Sequence, residues 1–152
     1  MISGIVAMDE HGLIGSQGVM PWQLPEEMAW FKSKTMGHIL VMGRLTYEHL
    51  PKKLEGRKVI VITHQVIPLF DGDICCDNVV ELLKRLAVGT EEIMVCGGAS
   101  IYQQAMPYIN HLYVSMIPGE YQGDTYFPPL DQALQVVETI DHGSFQVIRY
   151  ER

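Results

Sequence analysis

The segment LPEEMAWF carries two adjacent glutamates that the pattern of the chain places in different surroundings. A proline followed by two acidic residues is typical of a helix start, where negative charge stabilises the first turn. Glu27 shares helical spacing with Leu24, Met28 and Phe31, and these four side chains form one face that is otherwise apolar. Glu26 lies about 100° further round the helix. The spacing therefore predicts that Glu27 points inward while Glu26 remains in solvent.

A carboxylate that points inward needs a partner, because burial without one costs free energy or raises the pKa of the group. No Lys or Arg stands one helical turn from Glu27 on the same face, since Lys32 and Lys34 fall at other spacings. A hydrogen-bond donor on a ligand is therefore a candidate partner. The alternative is an acidic first turn without a functional role, and this interpretation suffices for Glu26.

Three further segments place anion-binding groups just after predicted strands. In GRLT (43–46) a glycine precedes Arg44 and a hydroxyl at a helix start, GGAS (97–100) repeats this order with paired glycines, and TH (63–64) supplies a hydroxyl and an imidazole. Backbone N–H groups at a helix start bind phosphate, and arginine adds a charge-assisted fork. Each glycine alone is usually an ordinary turn. Because ligands collect at the carboxyl ends of parallel strands, the three together predict a nucleotide-type anion site.

Apolar runs alternate with helical patterns along most of the chain. Strands are predicted at 2–8, 38–43, 57–63, 91–98 and 111–117, helices at 25–35, 44–50, 77–87 and 99–106, and a hairpin with a DHG turn at 135–151. A polar, glycine-rich loop spans 9–23. This alternation predicts a parallel sheet with helices on its faces, which the hairpin makes mixed. We expect one α/β domain over residues 1–152.

Composition and charge argue against several classes of protein. A net charge of −7 and a pI of about 5.2 disfavour binding to nucleic acid or to an anionic membrane. No apolar run approaches the roughly 20 residues of a membrane span, and the N-terminus lacks the basic leader of a signal peptide. The odd set Cys75, Cys76 and Cys96 makes a poor disulfide framework and predicts a cytoplasmic protein. No metal is expected, because no CxxC, HxxxH or HExxH spacing occurs.

Five separated motifs carry a family resemblance. They are MPWQLPEEMAWFK, VMGRLTYEHL, LEGRKVIVIT, VCGGASIYQQ and GDTYFP, in this order along the chain. The sequence closely resembles the dihydrofolate reductases of the bacterial chromosomal type over residues 2–152. The resemblance implies an eight-stranded, mostly parallel sheet with four flanking helices and a C-terminal antiparallel hairpin. It also implies reduction of 7,8-dihydrofolate to tetrahydrofolate by hydride transfer from NADPH. Nothing indicates an obligate partner, so we expect a monomer.

On the substrate side, Glu27 matches the family's single active-site carboxylate. The resemblance implies that it holds the pterin 2-amino group and N3, and promotes protonation at N5 through water that Trp22 helps to place. Arg57 matches the cation that binds the α-carboxylate of the glutamate tail, and Lys52 adds positive charge there. The remaining matches line the pterin and aminobenzoyl pocket or stand behind it: Ile5, Ala7, Met28, Phe31, Leu50, Leu54, Cys96, Tyr102 and Ser115. Sequence alone would assign four of them to the core, namely Met28, Phe31, Leu50 and Leu54.

On the cofactor side, Arg44 and Thr46 match contacts to the 2′-phosphate and the pyrophosphate. The peptide between Gly97 and Gly98 matches the family's cis peptide, and loop 9–23 matches a mobile lid that Asp124 steadies. The other matching positions are Ala7, Ile14, Gly43, Leu45, Ile62, Thr63, His64, Ala99, Ser100, Ile101, Tyr102, Gln104 and Thr125.

The sequence also departs from the family pattern. Leu45 stands where many relatives carry Lys or His, which removes a cation beside Arg44 that His64 could replace. Cys96 stands where a branched aliphatic residue is common, and Tyr47 replaces a common Trp with no expected effect. Two other functions stay open: a pterin- or nucleotide-binding module without turnover, and a reductase for a pyrimidine or another pterin on the same fold. Arg57 discriminates the last of these, because it would serve a glutamyl carboxylate.

Overall fold

In the computed structural model, which describes residues 1–152, ten strands and four α-helices follow one another along the chain. The strands are β1 (Ile2–Met8), β2 (Leu13–Gly15), β3 (Ile39–Gly43), β4 (Lys58–Ile62), β5 (Ile74–Cys76), β6 (Ile93–Val95), β7 (His111–Met116), β8 (Thr125–Tyr126), β9 (Gln135–Asp141) and β10 (Gln146–Glu151). The helices are α1 (Pro25–Thr35), α2 (Arg44–Glu48), α3 (Val79–Leu86) and α4 (Ala99–Ala105), and a 3₁₀ turn, Met106–Tyr108, follows α4. None of the helices has the length and apolar character needed to cross a membrane.

Eight strands form one mixed sheet in the order β5-β4-β3-β6-β1-β7-β10-β9. Along this order, the six strands β5, β4, β3, β6, β1 and β7 are parallel to one another, whereas β10 runs antiparallel to both β7 and β9. Strands β2 and β8 pair with each other outside this sheet. The expected eight-stranded, mostly parallel sheet with four helices and an antiparallel hairpin is confirmed.

The pleat of the strands sorts their apolar side chains onto two faces of the sheet. On β3, Val41 joins a core with α3 and α4, whereas Leu40 and Met42 join a core on the opposite face, against which α1 packs. On β1 the neighbours Ile5 and Val6 divide in the same way. A strand buried on both faces is a continuous apolar run, which explains why these strands are predictable from the sequence.

The helix ends follow local chemistry. Helix α3 begins after Asn78, whose side chain accepts the N–H of Glu81 at 3.1 Å, so the expected Asp or Asn cap is Asn78. Helix α1 has Pro25 in its first turn and ends at Thr35, as predicted. Helix α2 is shorter than expected and ends at Glu48 rather than at residue 50.

The remaining differences from expectation concern short elements. Strand β5 is not predicted, because its three residues are largely exposed at the sheet edge and form no apolar run. Strands β2 and β8 are missed because each is defined by a partner distant in sequence. The strand expected at 91–98 covers only Ile93–Val95. The hairpin turn comprises residues 142–145, and the Asp141 carboxylate accepts the N–H of Gly143 at 2.8 Å.

Tyr47, expected to be a neutral departure, anchors a buried hydrogen-bond network. Its hydroxyl donates to Asp73 at 2.8 Å and accepts the N–H of Phe70 at 2.8 Å. The other carboxylate oxygen of Asp73 accepts the N–H of Val59 at 3.0 Å. The network thus ties α2 to β4 and to the segment before β5, and it satisfies a carboxylate that the sheet buries.

Replacing Tyr47 with Phe removes one donor from buried Asp73 and the acceptor from the Phe70 N–H. We expect Tyr47→Phe to lower the free energy of unfolding by about 1–3 kcal/mol, measured by urea denaturation. Tyr150→Phe, at a half-buried tyrosine on β10 outside the network, is the control and should cost less than about 0.5 kcal/mol. Equal losses in the two variants would contradict a specific role for the network.

Candidate active site

The candidate site lies where the carboxyl ends of the central parallel strands meet. Ala7 of β1 is in register with Ser115 of β7, and Ser115 is in register with Val147 of β10. Residues directly opposite each other in neighbouring strands point to the same face of the sheet. Trp22 packs in one cluster with Ala7 and Val147. The Trp22 indole and the Ser115 hydroxyl therefore lie on the same face at the same edge of the sheet.

Glu27 is buried at this edge, with 5% of its surface exposed. Its carboxylate forms no ion pair with any residue of the chain. Burial raises the pKa of Glu27, and the Ser115 hydroxyl close to the carboxyl group offsets part of that rise. The inward orientation predicted from helical spacing is confirmed.

Two further polar groups at the site have unused hydrogen-bonding capacity. Trp22 Nε1 and Ser115 Oγ are buried and have no well-formed hydrogen bond within the protein, although Ser115 lies beside Glu27. Buried polar groups are nearly always paired in folded proteins, so these atoms mark a place where a ligand or water binds. A carboxylate, a hydroxyl and an indole N–H together suit a small polar heterocycle. No group of three or more His, Cys, Asp or Glu side chains could hold a metal ion.

The apolar wall beside Glu27 is more open than the sequence predicts. Met28 is 59% exposed, so its assignment to the core is wrong. Phe31, Leu50 and Leu54 are only half-buried and pack at the margin of the core on the α1 face. The difference arises because α1 buries only Glu27 and Thr35 fully, so its other side chains lie at the margin of the contact with the sheet. A half-buried apolar wall beside a buried carboxylate suits a flat, partly polar ligand.

Tyr102 and Cys96 stand at the rear of the site. The Tyr102 hydroxyl donates to the carbonyl oxygen of Ile5 at 2.6 Å, and its ring packs against Gly97. A Cβ at Gly97 would lie 3.3 Å from that ring, and the φ of +112° also favours glycine. Burial raises the pKa of the Cys96 thiol, which donates to the carbonyl of Met94 at 3.4 Å. Cys96 is therefore a neutral wall of the site.

Arg57 is positioned by contacts that leave its charge unneutralised. Its Nε donates to the carbonyl of Glu55 at 3.1 Å and its Nη1 donates to the Thr35 hydroxyl at 3.3 Å, at the end of α1. No carboxylate of the chain pairs with it. Lys52 is exposed in the same segment, whereas the neighbouring lysine, Lys53, lies 3.8 Å from the Asp73 carboxylate. Arg57 can therefore receive a ligand carboxylate with its planar fork.

The glycine turn brings the starts of α2 and α4 together. The Gly97–Gly98 peptide is cis, as the resemblance implies, and the N–H of Gly43 donates to the carbonyl of Gly97 at 2.8 Å. A Cβ at Gly98 would lie 3.7 Å from the Thr46 hydroxyl, so that hydroxyl faces the turn. Neither helix start has a side-chain cap, which leaves backbone N–H groups for an acceptor.

Contrary to the expectation from the sequence, the charged groups around this turn are not all available to a phosphate. Arg44 is not a free cation, because its Nη1 pairs with Glu48 at 2.6 Å one turn along α2. Leu45 is exposed and apolar, and His64 is exposed beyond the end of β4. The Thr63 hydroxyl accepts the N–H of Gln65 at 3.0 Å. The other predicted cofactor positions lie on three parts of the fold: Ile62 ends β4, Ala99, Ser100, Ile101 and Gln104 belong to α4, and Ile14 and Thr125 belong to the β2–β8 pair.

Loop 9–23, which we call the lid, is fixed to the segment after β7. The β2–β8 pairing joins them, and the Asp124 carboxylate accepts the N–H of Gln17 at 3.2 Å and the Thr125 hydroxyl at 2.8 Å. The contact expected between Asp124 and the lid is therefore present. At its tip the lid meets the end of α2, since a Cβ at Gly18 would lie 2.7 Å from the His49 ring.

Sequence reasoning missed three residues that shape the site. Asp9 is fully buried at the base of the lid, Tyr121 packs its ring edge against Trp22 with centroids 5.3 Å apart, and His49 supports the lid tip. Only Asp9 leaves a signal in the sequence, because an Asp directly after an apolar strand and before a His-Gly pair indicates an Asx-type turn. The other two contacts join segments far apart in the chain.

The family model and the relatives that match this sequence all belong to one family of proteins. The sequence model of the family described as dihydrofolate reductase matches residues 1–149. Dihydrofolate reductase of Bacillus subtilis is 40% identical over 133 residues, which is 88% of this chain and 79% of that protein. Dihydrofolate reductase of Neisseria meningitidis serogroup A is 39% identical over 137 residues, covering 86% and 81% of the two chains.

A solved structure agrees with both the sheet and the sequence relatives. Dihydrofolate reductase from Enterococcus faecalis, complexed with NADP(H) and RAB-propyl, superposes with a TM-score of 0.89 at 31% identity, covering 100% of this chain and 96% of that one. Fold, site and relatives together define an oxidoreductase of the α/β class. The chain belongs to the dihydrofolate reductase family.

The packing of the lid tip on His49 can be tested with a matched pair of glycines. Gly12 and Gly18 both have positive φ, +82° and +88°, but a Cβ at Gly12 would touch nothing within 4 Å. We expect Gly12→Ala to cost about 1–2 kcal/mol of unfolding free energy, and Gly18→Ala to cost more because of the ring. In a His49→Ala background, Gly18→Ala should fall to the cost of Gly12→Ala. Urea denaturation of the wild type and of the four variants measures these costs, and an unchanged cost of Gly18→Ala without the ring would contradict the contact.

Proposed function

We propose that the chain reduces 7,8-dihydrofolate to 5,6,7,8-tetrahydrofolate, with NADPH as the hydride donor. The observation that carries this proposal is Glu27, a buried carboxylate without an internal cation at the carboxyl edge of the sheet, in a member of this family. The Enterococcus faecalis relative with NADP(H) supports the choice of cofactor. The unpaired Arg57 supports a substrate with a carboxylate tail.

Glu27 anchors the pterin ring in this proposal. Its two oxygens accept parallel N–H bonds from the 2-amino group and N3, which compensates the carboxylate for the water it loses on burial. The Ser115 hydroxyl beside it supplies a further polar contact. Trp22 Nε1, buried and without a partner in the chain, places the water through which N5 is protonated. Glu27 therefore binds the substrate and promotes proton delivery without transferring the proton itself.

Arg57 and the apolar wall select the rest of the substrate. Phe31, Leu50 and Leu54 are half-buried at the margin of the core on the α1 face, and these apolar side chains suit the aminobenzoyl ring. The Arg57 guanidinium donates to the α-carboxylate of the glutamate tail, and exposed Lys52 adds positive charge. This arrangement favours a folate over a pterin that lacks a glutamate.

The residues around the glycine turn fit a dinucleotide. Backbone N–H groups at the starts of α2 and α4, with the Thr46 hydroxyl, suit the pyrophosphate. Arg44 binds the 2′-phosphate while it shares its guanidinium with Glu48, and His64 adds a second polar group. When bound, NADPH supplies the hydride. The lid, held by Asp124, excludes water from the nicotinamide.

A direct assay tests the proposal against the two other functions. Purified protein with NADPH and dihydrofolate should show loss of the near-ultraviolet absorbance of NADPH. Tight binding of both compounds without turnover would instead support a binding module. Equal turnover of dihydrofolate and a dihydropterin without glutamate would support the related pterin reductase, because Arg57 would then have no carboxylate to bind.

Glu27→Gln tests the anchoring role, and the neighbouring Glu26 provides a matched control. An amide presents an N–H group to one of the pterin donors, so we expect Glu27→Gln to lower the turnover number at least about 100-fold near neutral pH. Glu26→Gln changes an exposed side chain in the same turn and should leave turnover unchanged. Near-normal turnover of Glu27→Gln at neutral pH would remove Glu27 from the mechanism.

The same variant should gain stability as it loses activity. Because burial raises the folded-state pKa of Glu27 above 4.5, the folded chain binds this proton more tightly than the unfolded chain. The wild type therefore loses stability as the pH rises from the pKa of Glu27 in the unfolded chain through its raised pKa in the folded chain. Glu27→Gln has no carboxylate at this position and does not lose this stability. We expect the variant to unfold at higher urea concentration than wild type at neutral pH, with the difference shrinking below pH 4.5. If the stability difference between wild type and variant were the same at neutral pH and below pH 4.5, this would contradict a cost of burying the charged carboxylate.

Arg44→Ala tests the cofactor side. Since Arg44 is the cation on α2 that can reach a 2′-phosphate, we expect its loss to weaken NADPH by about tenfold or more and NADH by much less. Glu48→Gln is the complementary variant, because it releases Arg44 from its internal pair and should tighten NADPH. Fluorescence titration with both cofactors measures these affinities. Equal losses for NADPH and NADH in Arg44→Ala would remove this residue from the 2′-phosphate.

We also propose that the protein works in the cytoplasm as a monomer, with no nucleic-acid or membrane partner. The three cysteines are free thiols, which suits a reducing compartment. The net charge of −7 supports the absence of polyanionic partners. Sedimentation of the purified protein tests the oligomeric state.

A further inference from the structure

Asp9 is a buried titratable residue to which the proposed function gives no role. It follows β1 directly, and its side chain belongs to a residue with 0% of its surface exposed. It has no ion pair, because the imidazole of His11 pairs with Glu120 at 2.8 Å. A fully buried carboxylate without a cation is costly unless hydrogen bonds satisfy both of its oxygens.

The two carboxylate oxygens of Asp9 bind different segments of the chain. Oδ1 accepts the N–H groups of His11 and Leu13, both at 2.9 Å, and so holds the turn that begins the lid. Oδ2 accepts the N–H of Tyr121 at 2.9 Å, in the segment that follows β7. Burial alone would raise the pKa of Asp9, but these three N–H groups outweigh it and lower the pKa, so Asp9 remains ionised at neutral pH.

Tyr121 connects Asp9 to the site. Its ring meets the Trp22 indole edge to face, with centroids 5.3 Å apart and an interplanar angle of 61°. Trp22 is buried, and its Nε1 is one of the two buried side-chain polar atoms without a partner in the protein. The path from the Asp9 carboxylate to the Trp22 indole therefore consists of one backbone hydrogen bond and one aromatic contact.

We propose that Asp9 is a positioning residue that acts through Tyr121 to fix the Trp22 indole beside Glu27. This inference rests on the proposed function for its effect on rate, but its structural part does not. The other side-chain contacts between the two segments are Glu10 with the Gly119 N–H, His11 with Glu120, and Asp124 with the Gln17 N–H. All three are exposed, and water weakens them. The Asp9–Tyr121 bond is partly buried, with its acceptor fully buried, and it joins the backbone of the residue whose ring contacts Trp22.

Asp9→Asn separates the two functions of the carboxylate. The amide oxygen can still accept the His11 and Leu13 N–H groups, which keeps the turn, but its NH₂ group then faces the N–H of Tyr121. The substitution therefore breaks the link to Tyr121 selectively. Asp73→Asn is a matched control, because Asp73 is also buried and also accepts a backbone N–H. It lies next to the edge strand β5, whereas Asp9 follows the central strand β1.

The structural part is tested without turnover. The chain has two tryptophans, so a Trp30→Phe background leaves Trp22 as the only indole fluorophore. In this background we expect Asp9→Asn to shift Trp22 emission to the red and to increase its quenching by acrylamide. Asp73→Asn should change neither. Unchanged Trp22 fluorescence in folded Asp9→Asn would overturn the proposal.

The kinetic part uses single-turnover hydride transfer with both ligands saturating. We expect Asp9→Asn to lower this rate about tenfold, equivalent to about 1.4 kcal/mol, while Asp73→Asn leaves it unchanged. In a Trp22→Phe background, Asp9→Asn should add less than about twofold, because residues acting through one another are not additive. Additive losses would overturn the path through Trp22.

Tyr121→Leu provides a second route should Asp9→Asn fail to fold. It removes the ring contact and leaves the carboxylate intact, and we expect the same fluorescence shift and the same lack of additivity with Trp22→Phe. Absence of both effects would overturn the proposal. A wild-type protein without reductase activity would instead refute the proposed function, while the fluorescence comparison would still decide whether Asp9 positions Trp22.

Discussion

The burial of one carboxylate without a cation in the chain is the constraint on which the site depends. Glu27 has lost most of its contact with water, and neither Ser115 nor any basic side chain replaces it fully. The folded chain tolerates this cost because the sheet on which α1 lies is buried and well paired. Part of the available stability is thus given up to keep a binding group poised for donors on a ligand.

Strand order explains how residues from distant parts of the chain reach this carboxylate. Because β1 lies between β6 and β7, three parallel strands end side by side at the site. The segments that follow them supply the lid, the glycine turn and the loop that binds the lid. Helix α1 then places Glu27 over the same edge. The sheet acts as a rigid frame, whereas the lid takes its position from hydrogen bonds to Asp9 and Asp124.

The spacing of residue types along the sequence predicted those features that depend on a single segment of the chain. The bounds of β1 and α1, the inward direction of Glu27 and the glycine turn all follow from spacing within one segment. The exposure of Met28, the pairing of Arg44 with Glu48 and the contacts of Asp9 depend on what lies opposite each side chain, which periodicity does not encode. The roles assigned to most site residues came from the family resemblance, because an apolar pocket wall and an apolar core look alike in a single sequence.

The exposure of Met28 has an evolutionary consequence. A side chain that is 59% exposed contributes little to the packing of the core, so substitutions there are nearly free of the stability penalty that limits most buried positions. The half-buried wall formed by Phe31, Leu50 and Leu54 shares this freedom in part. Selection by a toxic substrate analogue can therefore change Met28 and this wall step by step, while the neighbouring Glu27 carboxylate, on which the site depends, stays the same. On the same helix, the residue that tolerates substitution, Met28, is therefore the direct neighbour of the carboxylate that binds the ligand, Glu27.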